Sequence, residues 1–139
     1  MGGNKDDEKI NCFLSQVGMK LGNGNDTKLT LSKIKNVLPL IQYELEAEEI
    51  GMYGEPIWQG KIRNKNNDTC YLWTENYLDD NTEIESFEVI RGSEPYVVIE
   101  LFKYLSNNYG RFLFCCDGGN STIISMEKTV EENYKELFD

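Results

Sequence analysis

From Trp58 onward the apolar residues no longer recur every third or fourth position but alternate, and no helical segment separates the alternating runs that follow. Trp58, Gly60 and Ile62 alternate with Gln59, Lys61 and Arg63, Asn64 to Asp68 reads as a loop, and Thr69 to Thr74 continues the pattern, which predicts a β-hairpin. Tyr77-Leu78-Asp79-Asp80-Asn81 makes the next turn. Glu83 to Ile90 then reads as a third strand, with a change of phase between Ile84 and Phe87 that suggests a bulge. Strands joined this closely pair antiparallel, because a parallel neighbour needs a crossover connection of a dozen residues or more.

Helical spacing brackets this meander. Ile10, Phe13, Leu14, Val17 and Leu21 predict a first helix ending at Gly22-Asn23-Gly24. Asn25-Asp26-Thr27 supplies capping chemistry for a second, whose apolar face runs through Leu31, Ile34, Val37, Leu38, Ile41 and Leu45 to a stop near Gly51, with Pro39 as a kink or restart. Ser93 stands as N-cap for a third helix with Val97, Val98, Leu101, Phe102 and Leu105 on its stripe. Arg111 to Cys116 and Ser121 to Met126 read as strands joined at Asp117-Gly118-Gly119-Asn120, and Thr129 with Glu132 forms a capping box for a last short helix. The expected order is ααβββαββα: an α+β fold with a largely antiparallel sheet of about five strands and helices packed on one face. Residues 1–139 form a single domain, with 1–7 frayed.

Chemistry is sparse. The chain has no histidine, which removes the usual base near neutral pH, and no Gly-rich segment has a P-loop ending or a dinucleotide context. The expectation is no catalytic set, no cofactor and no enzyme activity. Cys12, Cys70, Cys115 and Cys116 lack metal-ligand spacing and read as four reduced thiols. The weak enzymatic alternative is a metal-dependent hydrolase built on the adjacent carboxylates Asp79 and Asp80. With no run long enough to cross a bilayer and no basic-then-apolar start, the reading is cytoplasmic.

Charge carries more. Of 139 residues, 24 are Asp or Glu and 14 Lys or Arg, a net charge of −10, which disfavours direct contact with nucleic acid or an anionic membrane. The excess is uneven. Asn66 to Ile90 holds Asp68, Glu75, Asp79, Asp80, Glu83, Glu85 and Glu88 without one Lys or Arg, and Asn36 to Gly60 holds Glu44, Glu46, Glu48, Glu49 and Glu55, also without a base. Lys61, Arg63 and Lys65 are placed to neutralise a neighbouring strand. Tyr71 and Trp73 share the strand face opposite Cys70 and Leu72. Either they fill the core and the acids solvate a loop, or they face outward as aromatic anchors among carboxylates. The second arrangement makes Tyr71, Trp73, Glu75, Tyr77, Asp79, Asp80, Glu83 and Glu85 a binding surface for a basic protein.

In size, charge and layout the chain resembles the small acidic immunity proteins of bacterial polymorphic and contact-dependent toxin systems. That resemblance implies a protein that binds and neutralises a cognate toxin domain, often a nuclease, and it transfers no individual residue. The alternatives are a non-catalytic adaptor and a nucleic-acid mimic that occupies a DNA-binding protein.

Overall fold

The computed structural model describes residues 12–17, 28–116 and 120–138. Seven strands, β1 (Cys12–Val17), β2 (Glu44–Ile50), β3 (Ile57–Arg63), β4 (Thr69–Glu75), β5 (Ser86–Val89), β6 (Arg111–Cys116) and β7 (Ser121–Ile124), form one sheet in the order β2-β3-β4-β5-β1-β6-β7. Every neighbouring pair is antiparallel. The helices are α1 (Leu31–Val37), α2 (Pro95–Tyr109) and α3 (Val130–Phe138), so the α+β class holds.

The hairpin, the long helix and the last hairpin stand where the periodicity put them. Burial in β3 and β4 alternates strictly over Gly60 to Thr74, apart from the connecting loop, with Gly60, Ile62, Cys70, Leu72 and Thr74 inward. The loop closes on Asn64, whose Oδ1 accepts from the backbone N–H of Asn66 and Asp68 at 2.9 and 3.0 Å. The capping box of α3 is complete: Glu132 N–H donates to Thr129 Oγ1 at 3.0 Å and Thr129 N–H to Glu132 Oε1 at 2.8 Å.

The described part of the first expected helix and the C-terminal part of the second are strands, which raises the sheet from about five strands to seven. Cys12–Val17 lies between β5 and β6 and forms a ladder with each, so both edges of its backbone are paired in a way that a lone helix there would forgo. The rest of that expected helix, and its Asn25-Asp26-Thr27 cap for the next, lie outside the described residues. α1 starts instead at Thr30, whose hydroxyl accepts from Lys33 N–H at 3.2 Å. It stops after two turns. Leu38-Pro39-Leu40-Ile41 tightens into a 3-10 turn, and Gln42 takes a left-handed conformation (φ 63°) that sends the chain into β2. The Glu- and Ala-rich segment Glu44–Ile50 would favour a helix in isolation. Pairing overrides that preference: Arg63 bonds Glu44 and Glu46 at 2.8 and 3.1 Å, and Lys61 sits 3.4 Å from Glu46. The register shift between Leu45 and Ala47 marks a bulge here, whereas the bulge expected between Ile84 and Phe87 is absent because β5 begins only at Ser86.

Two smaller expectations also change. The N-cap of α2 is Glu94 rather than Ser93. Ser93 Oγ instead accepts from Tyr71 N–H at 2.8 Å and donates to Ile90 O at 2.6 Å, tying the helix approach to β4. The four thiols are not all reduced: Cys70 and Cys115 are free and Cys116 is disulfide-bonded, standing in register with Cys12 on the adjacent strand. No local signal in the sequence announces that bond. Burial pushes the Cys70 thiol up to about 12, which keeps it protonated and unreactive. The turn residues 117–119 lie outside the described residues.

The core fills one side of the sheet. Trp58, Phe87, Phe102 and Phe112 contact in series, with ring centroids 6.5, 5.7 and 5.0 Å apart and interplanar angles of 67°, 68° and 76°. These edge-to-face contacts contribute about 0.5–1.5 kcal/mol per pair beyond area burial. They bind β3, β5 and β6 to α2. Trp58 is fixed further by Nε1 donating to Glu48 Oε1 at 2.7 Å, and its ring lies over Gly60, where any Cβ would overlap Cη2 and Cζ2.

Gly60→Ala is therefore expected to displace the indole and cost about 1–3 kcal/mol, read as a lowered midpoint in thermal or urea unfolding. An unchanged midpoint would show that the Trp58 position is not held as described.

Candidate partner-binding surface

Strand alternation sets the site. With Cys70 and Leu72 completely buried, Tyr71 and Trp73 project from the opposite side of β4, away from the core, and both are half-buried. Cross-strand pairing places Trp73 between Gln59 of β3 and Glu88 of β5. A neighbour in this position has its Cβ about 5 Å away. Trp73 thus stands beside a carboxylate on one flank and an amide on the other.

Around this position the chain forms a cleft of about 350 Å³. Its walls include Trp73, Glu75, Glu83, Glu85 and Glu88, and its rim is completed by Asn76 and Thr82 from the loop after β4. Among the described residues, no Lys or Arg lines it. Burial raises the Glu88 carboxyl above its ordinary range and the charge of Glu75 adds to the effect. The indole N–H of Trp73 is buried and has no acceptor. A site of this kind attracts a cation and can satisfy it with carboxylates.

The cleft unites four of the residues expected from the sequence: Trp73, Glu75, Glu83 and Glu85. The other four separate from it. Tyr71 lies on the same face of β4, with Lys61 Nζ 5.8 Å from its ring centroid. Tyr77 is a correction, for it is only 8% exposed and belongs to the core, where its hydroxyl donates to Asp80 Oδ1. Burial, followed by that bond, raises the Tyr77 phenol above its usual range. Asp80 is held by Lys35 at 2.8 Å, and hydrogen bonds from Lys35 and Tyr77 lower its carboxyl below the ordinary value. Asp79 is exposed and accepts from Asn81 N–H at 2.8 Å within its own turn. Asp79 and Asp80 thus shape a loop, and among the described residues no group of three acids or cysteines is placed to hold a metal ion.

Two neighbours of Trp73 went unread in the sequence. Glu88 is across from Trp73 only once the β4–β5 register is known. Tyr53 sits in the turn between β2 and β3, 79% exposed, with its ring centroid 6.4 Å from that of Trp73. Its signal was the pair of glycines that bracket it, Gly51 and Gly54. The second acidic stretch is largely matched: Glu44 and Glu46 pair with Arg63 and Lys61, and Glu48 with Lys35 at 3.0 Å. Beyond charge, among the described residues no helix is long and apolar enough to cross a membrane.

Because the folded chain raises the Glu88 pKa, the ionised carboxylate opposes folding above that pKa, and the penalty lifts as pH falls through it toward the unfolded value near 4.3. Glu88→Gln should raise the unfolding temperature at pH 7–8 and lose that advantage at about pH 4. A variant less stable than wild type at pH 8 would contradict the burial of charge in this cleft.

Comparison with known proteins gives no family assignment: no family model, no curated protein and no solved structure matches the chain.

Proposed function

We propose that the protein is an immunity-type inhibitor that binds a basic bacterial toxin domain through the cleft at Trp73 and so blocks its action. The observation that carries this reading is the union of four carboxylates, Glu75, Glu83, Glu85 and Glu88, with an aromatic wall and no cation in the lining. An acidic surface of this kind accelerates capture of a basic partner, towards about 10⁸–10⁹ M⁻¹s⁻¹ at low salt, while the aromatic side chain supplies burial once contact is made. Speed matters to an inhibitor whose target damages the cell that makes it.

The distribution of charge supports a compact contact rather than imitation of a nucleic acid. A mimic needs a long row of unmatched acids, and the carboxylates of β2 are largely engaged by Lys35, Lys61 and Arg63. The absence of histidine from the sequence agrees with a role in binding.

The test is co-expression with candidate basic toxin domains, combined with stopped-flow association of the purified pair for any domain the protein neutralises. Wild type should protect growth, and the exposed pair Glu83→Lys with Glu85→Lys should slow association about tenfold or more at low salt, a loss that shrinks as salt rises. Association that is independent of salt and of this double reversal would overturn the reading.

A further inference from the structure

Tyr53 is held in a conformation that side chains other than glycine rarely adopt. Its φ is 59° and ψ 22°, between Gly51 at φ 82° and Gly54 at φ 71°. The turn exposes 79% of Tyr53 to solvent while one side of the ring rests on Trp73, at 6.4 Å and 31°. Neither a core contact nor a hydrogen-bonding requirement of the short turn calls for an aromatic residue there. The two rings form an aromatic ledge in which Trp73 lines the cleft with Glu75 and Glu88, and Tyr53 adjoins Trp73 from outside that lining.

We propose that this ledge, Tyr53 and Trp73 with Glu75 and Glu88, is a recognition site for an arginine side chain of the partner, in preference to lysine. The inference rests on the reading that the cleft receives a basic protein, and it specifies which cation the cleft selects. Charge complementarity defines the occupant as cationic, since four carboxylates and no base line the cleft. The aromatic ledge narrows it. A guanidinium is planar and weakly hydrated, so it stacks on rings and still offers paired N–H donors to carboxylates, whereas an ammonium keeps its water. The same sheet face already holds a cation over an aromatic ring, Lys61 over Tyr71 at 5.8 Å.

The experiment uses the full chain labelled with ¹⁵N and two probes of equal charge, acetyl-hexaarginine amide and acetyl-hexalysine amide, at low salt. The two indole N–H signals, from Trp58 and Trp73, are assigned with Trp73→Phe. The arginine peptide is expected to shift the Trp73 signal saturably, to leave the Trp58 signal in place, and to bind about fivefold more tightly than the lysine peptide. Tyr53→Gly relaxes the turn, so it should fold with an equal or higher unfolding temperature and lose the preference for arginine, while Tyr53→Phe keeps it. Equal binding of the two peptides, an unmoved Trp73 signal, or an arginine preference that survives Tyr53→Gly would each overturn the proposal. If the peptides bind equally while co-expression still protects against the toxin, the arginine site fails alone. If arginine is preferred but protection is absent, the inhibitor reading fails and the site stands.

Discussion

The series of rings from Trp58 through Phe87 and Phe102 to Phe112 seats α2 on one side of the sheet, and nearly everything else about the molecule depends on that one-sided packing. Because strand side chains alternate, committing Cys70, Leu72, Phe87 and Val89 to this core obliges Tyr71, Trp73 and Glu88 to face the other way. A slip of one residue in β4 would bury Tyr71 and Trp73 and expose Cys70 and Leu72. The register that builds the core thus also builds the acidic cleft.

Charge is divided by the same architecture. β2 brings Glu44, Glu46 and Glu48 within reach of Arg63, Lys61 and Lys35, so a segment with no base of its own is matched by cations from β3 and α1. These pairs are partly exposed, so solvent screens them and each adds little to stability. Their larger effect is on location: with β2 and Asp80 engaged, the cleft at Trp73 becomes the place where several carboxylates meet with no cation among the lining residues. Burial, with the charge of Glu75 adding to it, raises the Glu88 carboxyl in that cleft.

How much of this was legible in the sequence depended on whether a signal was local. The alternation in β3 and β4, the stripe of α2 and the Thr129–Glu132 capping box are decided by neighbours in the chain, and each stands as expected. The strands β1 and β2 were not legible. Apolar residues spaced for a helix are equally compatible with a short buried strand, and the helix preference of Glu44–Ile50 is outweighed by pairing with a strand further along the chain. Within the candidate site, Trp73, Glu75, Glu83 and Glu85 could be gathered because they are close in sequence and share an acidic, base-free run. Tyr77 misled because a phenol beside two aspartates reads as surface, although its ring is buried and only its hydroxyl reaches Asp80. Glu88 and Tyr53 join through sheet register and a left-handed turn, and neither can be measured along the chain.

The proposed docking surface for a basic partner is the acidic cleft at Trp73, built from β4, β5 and the 76–85 loop between them. Hydrogen–deuterium exchange of the chain, free and bound to that partner, tests it most directly, because protection reports contact without altering any residue. The account predicts that binding slows exchange in the 51–55 turn and in 73–88, with little change in α2 and α3. Protection confined to α2, α3 and the β7 edge, with the Trp73 region exchanging as in the free protein, would contradict it.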